Sequence, residues 1–101
     1  MITVKVTYGV KKAYVETNKE MIGKFLADFR ALDSSKFVYS VFQQDDEETF
    51  LHFSQFQDEE IQQLVLQVPS FVAFQASRDN NLSSAHNIEI LTPIGTTKSN
   101  L

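Results

Sequence analysis

From Phe37 to Phe56 the chain alternates in two runs, Phe37-Val38-Tyr39-Ser40-Val41-Phe42 and Thr49-Phe50-Leu51-His52-Phe53-Ser54-Gln55-Phe56. The acidic patch Asp45-Asp46-Glu47-Glu48 divides them. Period-two alternation over β-branched and aromatic residues predicts two strands, and the charged patch predicts the turn of a β-hairpin. A hairpin turn fixes which residues share a face. With a connection of two or four residues, Gln44 lies opposite Thr49, Gln43 opposite Phe50, Val41 opposite His52 and Tyr39 opposite Ser54. Val38, Ser40 and Phe42 then share the other face with Leu51, Phe53 and Gln55. An odd-length loop would break this pairing.

Other elements flank the hairpin. Ile2 to Val10 alternates, with Val4, Val6 and Tyr8 on one side and Thr3, Lys5 and Thr7 on the other, which predicts a first strand. Gly9 marks its end or a bulge. From Tyr14 the period changes: Tyr14, Asn18, Met21, Ile22, Phe25, Phe29 and Leu32 recur three or four apart, as one stripe of a helix. Thr17-Asn18-Lys19-Glu20 fits a capping box that starts the helix at Thr17, whereas the periodicity allows a start nearer Tyr14. Asp58-Glu59-Glu60 opens a second helix with an Ile61, Leu64, Val65, Val68 stripe, and Pro69 begins a short third one carrying Phe71 and Phe74. Leu82 to His86 reads as loop, and Ile88, Ile90 and Thr92 alternate as a last short strand. The order is β-α-β-β-α-β, in one domain over residues 1–95 with a loose tail over 96–101.

Composition narrows the function. A net charge of −4 argues against nucleic acid as the main partner, since phosphate binding needs a concentrated basic surface and Lys11-Lys12 is the one adjacent basic pair. The chain has no cysteine, so disulfides, thiolate nucleophiles and thiolate metal sites are excluded. Met1 to Val6 lacks the apolar stretch of a secretory leader and no run approaches a membrane span, so a cytoplasmic location is expected. Asp45 to Glu48 lack the glycine and distal glutamate of a calcium loop, and His52 and His86 alone make no zinc site. No metal is expected.

Helices on one face of an antiparallel sheet make a two-layer α+β sandwich. The expected helix-facing residues are Val4, Val6, Phe42, Leu51 and Phe53. The open side then holds Thr3, Lys5, Thr7, Tyr39, Val41, Gln43, Phe50, His52 and Ser54. A face mixing aromatic and polar groups in this way is usually covered, and a two-fold partner closing a shared barrel is the economical cover.

The hairpin strands and the broken helix Pro69-Ser70-Phe71-Val72-Ala73-Phe74 give the chain its family likeness. It resembles the dimeric α+β barrel superfamily, of ferredoxin-like topology, and in particular its antibiotic biosynthesis monooxygenase-like group, over about residues 1–93. The resemblance implies a homodimer and a cofactor-independent oxygenase of an aromatic or polyketide-like substrate. Its alternative is a non-catalytic small-molecule-binding or stress-response module of the same fold. Many relatives carry a histidine just before the helix break, where this chain has Val65. The haem-degrading branch uses an Asn, Trp and His set; this chain has no tryptophan and no histidine on a predicted helix, so haem is not expected.

His52 is the leading candidate residue, as a general base or ligand anchor; the competing reading is a structural histidine bonded across the barrel. Tyr39 would orient a ligand carbonyl, or simply pack its ring with the hydroxyl in water. Lys5, Thr7, Phe50 and Ser54 share the expected face and complete the candidate ligand site. The competing and favoured reading of Lys5 is an edge lysine with its amine in solvent.

Overall fold

A computed structural model describes residues 1–97, and the expected element order is present: β1 (Ile2–Val10), α1 (Val15–Arg30), β2 (Phe37–Gln43), β3 (Thr49–Phe56), α2 (Glu59–Leu66), α3 (Pro69–Asp79) and β4 (Leu82–Leu91). The four antiparallel strands lie in the order β2-β3-β1-β4, with the helices on one face, a ferredoxin-like α+β sandwich. The tail expected over 96–101 lies outside the described residues from 98 onward.

The hairpin register is the expected one, with Val41 opposite His52, Tyr39 opposite Ser54 and Gln43 opposite Phe50. Gln44 donates its N–H to the Thr49 carbonyl at 2.8 Å, leaving the four acidic residues as the connection. Asp46 organises that turn by accepting from the Thr49 hydroxyl and from the N–H groups of Glu48 and Thr49. Those bonds, the hydroxyl's first, hold its carboxyl below the usual range. Glu47 takes the left-handed position at φ 65°, which glycine would fill without strain.

Two boundaries differ from expectation. A single 3₁₀ turn at Lys12–Tyr14 leads into α1 at Val15, so Thr17 lies inside the helix and caps nothing. Strand β4 begins at Leu82, because Gly9 and Val10 at the end of β1 pair with Ser84 and Leu82 through an irregular register. Backbone pairing is indifferent to the polar side chains that made 82–86 read as a loop. Gly9 permits the close approach: a Cβ there would stand 2.7 Å from Ser83 Oγ. The other helix signals hold. Asp58 accepts from the Ile61 N–H as the cap of α2, and Pro69 opens α3.

The larger correction concerns the sheet's faces. In the β1–β3 register Val4 lies opposite Ser54, Val6 opposite His52 and Tyr8 opposite Phe50. Residues directly opposite share a face, so Tyr39, Val41, Phe50, His52 and Ser54 point with Val4, Val6 and Tyr8 toward the helices. Thr3, Lys5 and Thr7 share the other face with Phe42, Leu51 and Phe53. Phe42, Leu51 and Phe53 therefore do not face the helices as expected. His52 is only 2 % exposed within the single chain, so no second subunit is needed to cover the imidazole.

The core between the layers is a stack of rings. Phe25 of α1 meets Phe71 and Phe74 of α3 at 5.0 and 4.9 Å between centroids, and Phe29 meets Phe37 and Tyr39 from the sheet. Each fully buried phenylalanine contributes roughly 2–3 kcal/mol from burial, so this cluster fixes how the helices sit on the sheet. Val65, where relatives were expected to carry a histidine, is fully buried in the same core. Among the described residues, no helix is long and apolar enough to cross a membrane.

Candidate functional site

A chain of polar groups threads this aromatic core. Asn18, in the apolar stripe of α1, donates its amide N–H to the Tyr8 hydroxyl at 3.0 Å. Tyr8 and His52 Nε2 are 2.7 Å apart, and His52 Nδ1 and the Tyr39 hydroxyl are also 2.7 Å apart. Three elements, α1, β1 and the hairpin, are thereby tied by bonds that satisfy both imidazole nitrogens. Mutual pairing lets these polar side chains lie in the core, where lone polar groups would cost ~1–3 kcal/mol each. Among the described residues, Asn18 Oδ1 is the buried side-chain atom without a hydrogen-bond partner.

In the tautomer protonated at Nδ1, Tyr8 accepts from Asn18 and gives its own proton to His52 Nε2. Nδ1–H then donates to Tyr39, and the Tyr39 O–H is left to donate elsewhere. Burial, with a smaller contribution from the Arg78 charge, pushes the His52 pKa down to about 3, so the ring is neutral at neutral pH. Burial likewise pushes Tyr8 up to about 12 and raises Tyr39.

Tyr39 and His52 end this chain in the wall of a cavity of about 400 Å³ between sheet and helices. Val4, Val6, Tyr39, His52 and Ser54 form its floor; Gln62 and Leu66 of α2 and Phe71, Gln75, Arg78 and Asp79 of α3 form its roof. His86, Ile88 and Ile90 of the edge strand β4 complete it. Ile88 and Ile90 are largely exposed, so the cavity opens along that edge. The size suits a molecule of two or three fused rings, and the lining is mostly apolar with a few convergent polar groups, as in small-molecule sites.

Of the residues expected from the sequence, the cavity brings together His52, Tyr39 and Ser54. Phe50 shares their face but stacks on Tyr8 at 5.8 Å within the core. Lys5 and Thr7 lie on the opposite face, carried there by the β1 register, and Lys5 reaches Glu89 at 3.9 Å. Sequence reasoning missed Tyr8, Asn18, Arg78 and His86. An amide at Asn18 within an apolar helical stripe was one available signal. Arg78, four residues after Phe74 on the buried side of α3, was another. His86 was set aside as a lone loop histidine, because 82–86 did not read as strand.

Arg78 and Asp79 supply the charge on the wall. Arg78 Nε and Nη2 both donate to Asp79 Oδ1, at 3.1 and 3.0 Å, and His86 Nδ1 lies 3.9 Å from the same oxygen. Among the described residues, no group of three or more His, Asp or Glu side chains is arranged to hold a metal ion.

The fold of this sandwich is shared with solved proteins named as antibiotic biosynthesis monooxygenases. Among solved structures the chain is similar to a protein named as an antibiotic biosynthesis monooxygenase, with a TM-score of 0.80, 9 % identity, and coverage of 94 % of this chain and 100 % of that one. A Mycobacterium tuberculosis protein superposes with a TM-score of 0.81 at 12 % identity, covering 96 % of this chain and 98 % of its own. A Nitrosomonas europaea protein, provisionally assigned as an antibiotic biosynthesis monooxygenase, gives 0.79 at 13 % identity, with 94 % and 100 % covered. No family model matches the chain, and no curated protein matches it in sequence. At these identities the likeness establishes the fold, and the chemistry rests on the site itself.

Proposed function

We propose that the chain binds a planar aromatic molecule in the cavity between sheet and helices and oxidises it with molecular oxygen, without a cofactor. The observation that carries this reading is the Tyr39 hydroxyl, held by His52 at the wall of a ring-sized, mostly apolar cavity. An aromatic ketone with an activated ring methylene can supply the electrons: its CH2 becomes C=O, one oxygen atom enters the ring and the other leaves as water. The protein's part is to favour loss of the substrate's first proton and to keep out bulk water.

His52 is too weakly basic for that proton transfer, because burial keeps it neutral down to about pH 3. Its part in the proposal is to fix Tyr39, whose free O–H donates to the carbonyl oxygen as enolate charge develops there. His86 is the second imidazole on the wall; it takes the proton, and the Asp79 carboxylate 3.9 Å away steadies the resulting charge. Ser54 contributes a further hydroxyl on the floor.

The proposal includes a homodimer formed through the other face of the sheet. Phe42 is 57 % exposed there, beside half-buried Leu51 and Phe53. An apolar patch on an open sheet calls for cover, and a second copy stacking sheet on sheet supplies it.

Oxygen consumption with a hydroxylated anthrone tests the enzymatic reading. One O2 should be used per anthrone oxidised, and Tyr39→Phe should slow turnover roughly tenfold or more while the ligand still binds. Binding without oxygen uptake would leave the non-catalytic module as the function.

A further inference from the structure

We propose that the cavity selects an aromatic carboxylate, with Arg78 as the residue that holds the carboxylate. The inference rests on the reading of the cavity as an aromatic site and adds the charge of its ligand.

Arg78 stands in an unusual place for a cation. Its side chain is 6 % exposed, with the guanidinium carbon 5.1 Å from the Tyr8 ring centre and 5.2 Å from that of Phe74. A buried cation needs a partner, and Asp79 is a poor one. Asp79 is 50 % exposed, so water screens its charge, and it offers Arg78 the single oxygen Oδ1, which takes both Nε and Nη2. Arg78 is a planar fork of five N–H groups and lines the cavity; those two bonds leave both N–H groups of Nη1 and the second of Nη2. A carboxylate matches such a fork with two parallel bonds.

The rest of the wall agrees. Tyr39, Ser54, Gln62 and Gln75 are neutral and can all donate hydrogen bonds; among the described lining residues Asp79 is the one carboxylate, and it is half exposed. Burial dominates the proton affinities of Tyr8, Tyr39 and His52, yet the Arg78 charge also acts on each, lowering all three. A cation in the last turn of α3 also complements the helix dipole. An exposed lysine would do that equally well, so the dipole does not account for a buried guanidinium.

Calorimetric titration with 2-naphthoate and with 2-naphthamide, equal in ring and shape but different in charge, tests the proposal. At neutral pH the wild-type protein should bind naphthoate roughly tenfold or more tightly than the amide. Arg78→Gln should abolish that preference, bringing the ratio of the two affinities to about one. Equal binding of the two by the wild type would overturn the assignment whether or not the variant folds. So would a naphthoate preference that survives Arg78→Gln. If neither compound binds at millimolar concentration, the aromatic-cavity reading falls too; amide binding without a carboxylate preference removes only the anion.

Discussion

Removing the titrating group from the buried polar chain should flatten the protein's response to mild acid. His52 has an ordinary value of 6.5 and is pushed down to about 3 in the fold, by burial first and then by the Arg78 charge. Below 6.5 the unfolded chain takes up a proton at this residue and the folded chain does not, so stability is full above that value and falls as pH falls. The loss ends only when the folded ring itself protonates, near 3. With one proton of difference, each pH unit costs ~1.4 kcal/mol, so the drop to about pH 5 removes ~2 kcal/mol through His52 alone. Against a typical total of ~5–15 kcal/mol this is readily measured. Urea unfolding of wild type and His52→Gln, at neutral pH and at about pH 5, gives the comparison. The variant will start from a lower stability, having lost bonds to Tyr8 and Tyr39, but the slope is the readout. Every other ionisable group is common to both proteins and cancels. Equal slopes in the two would refute the claim that the fold holds His52 neutral.

Three further outcomes follow from the packing. Phe74→Ala empties a fully buried site between Phe25 and Arg78 and should cost ~3–5 kcal/mol in urea unfolding; a loss below ~1 kcal/mol would contradict the described core. Phe53→Lys places a charge on the open face and should convert a dimer into an 11.5 kDa monomer by sedimentation, and an unchanged mass would exclude that face as the interface. Lys5→Ala breaks only a half-exposed pair with Glu89, so stability should move by less than ~0.5 kcal/mol and naphthoate affinity should stay put. A large loss of naphthoate binding would return Lys5 to the site.

The hairpin was fully legible because a short turn ties its strands in one register, and Val41 does face His52. The orientation of that hairpin was not, for a physical reason. Tyr39, His52 and Ser54 look too polar for the helix-facing core when read singly, and Phe42, Leu51 and Phe53 look like that core. Only the pairing of Tyr8 with His52, and of His52 with Tyr39, makes the polar set fit for burial, and those contacts join β1, β2 and β3. Asn18 adds a third partner from α1, far along the chain from the hairpin. No local pattern encodes the register of β1 against β3, which decides where Lys5 and Thr7 go. The aromatic helix faces, by contrast, were readable from spacing alone: Phe25, Phe29, Phe71 and Phe74 are where the 3.6 period puts them. The first half of the edge strand β4 escaped because its polar stretch pairs through the backbone, and the strand position of His86 escaped with it.

The central claim is that the His52 side of the sheet, beneath the protein's own helices, is where a planar ligand sits. Nuclear Overhauser contacts between 2-naphthoate ring protons and the side chains of a labelled protein test it directly. Contacts should appear to Val6, Leu66 and Ile88, which line the cavity around Tyr39 and Arg78. Contacts to Leu51 and Phe53 on the opposite face instead would contradict the account.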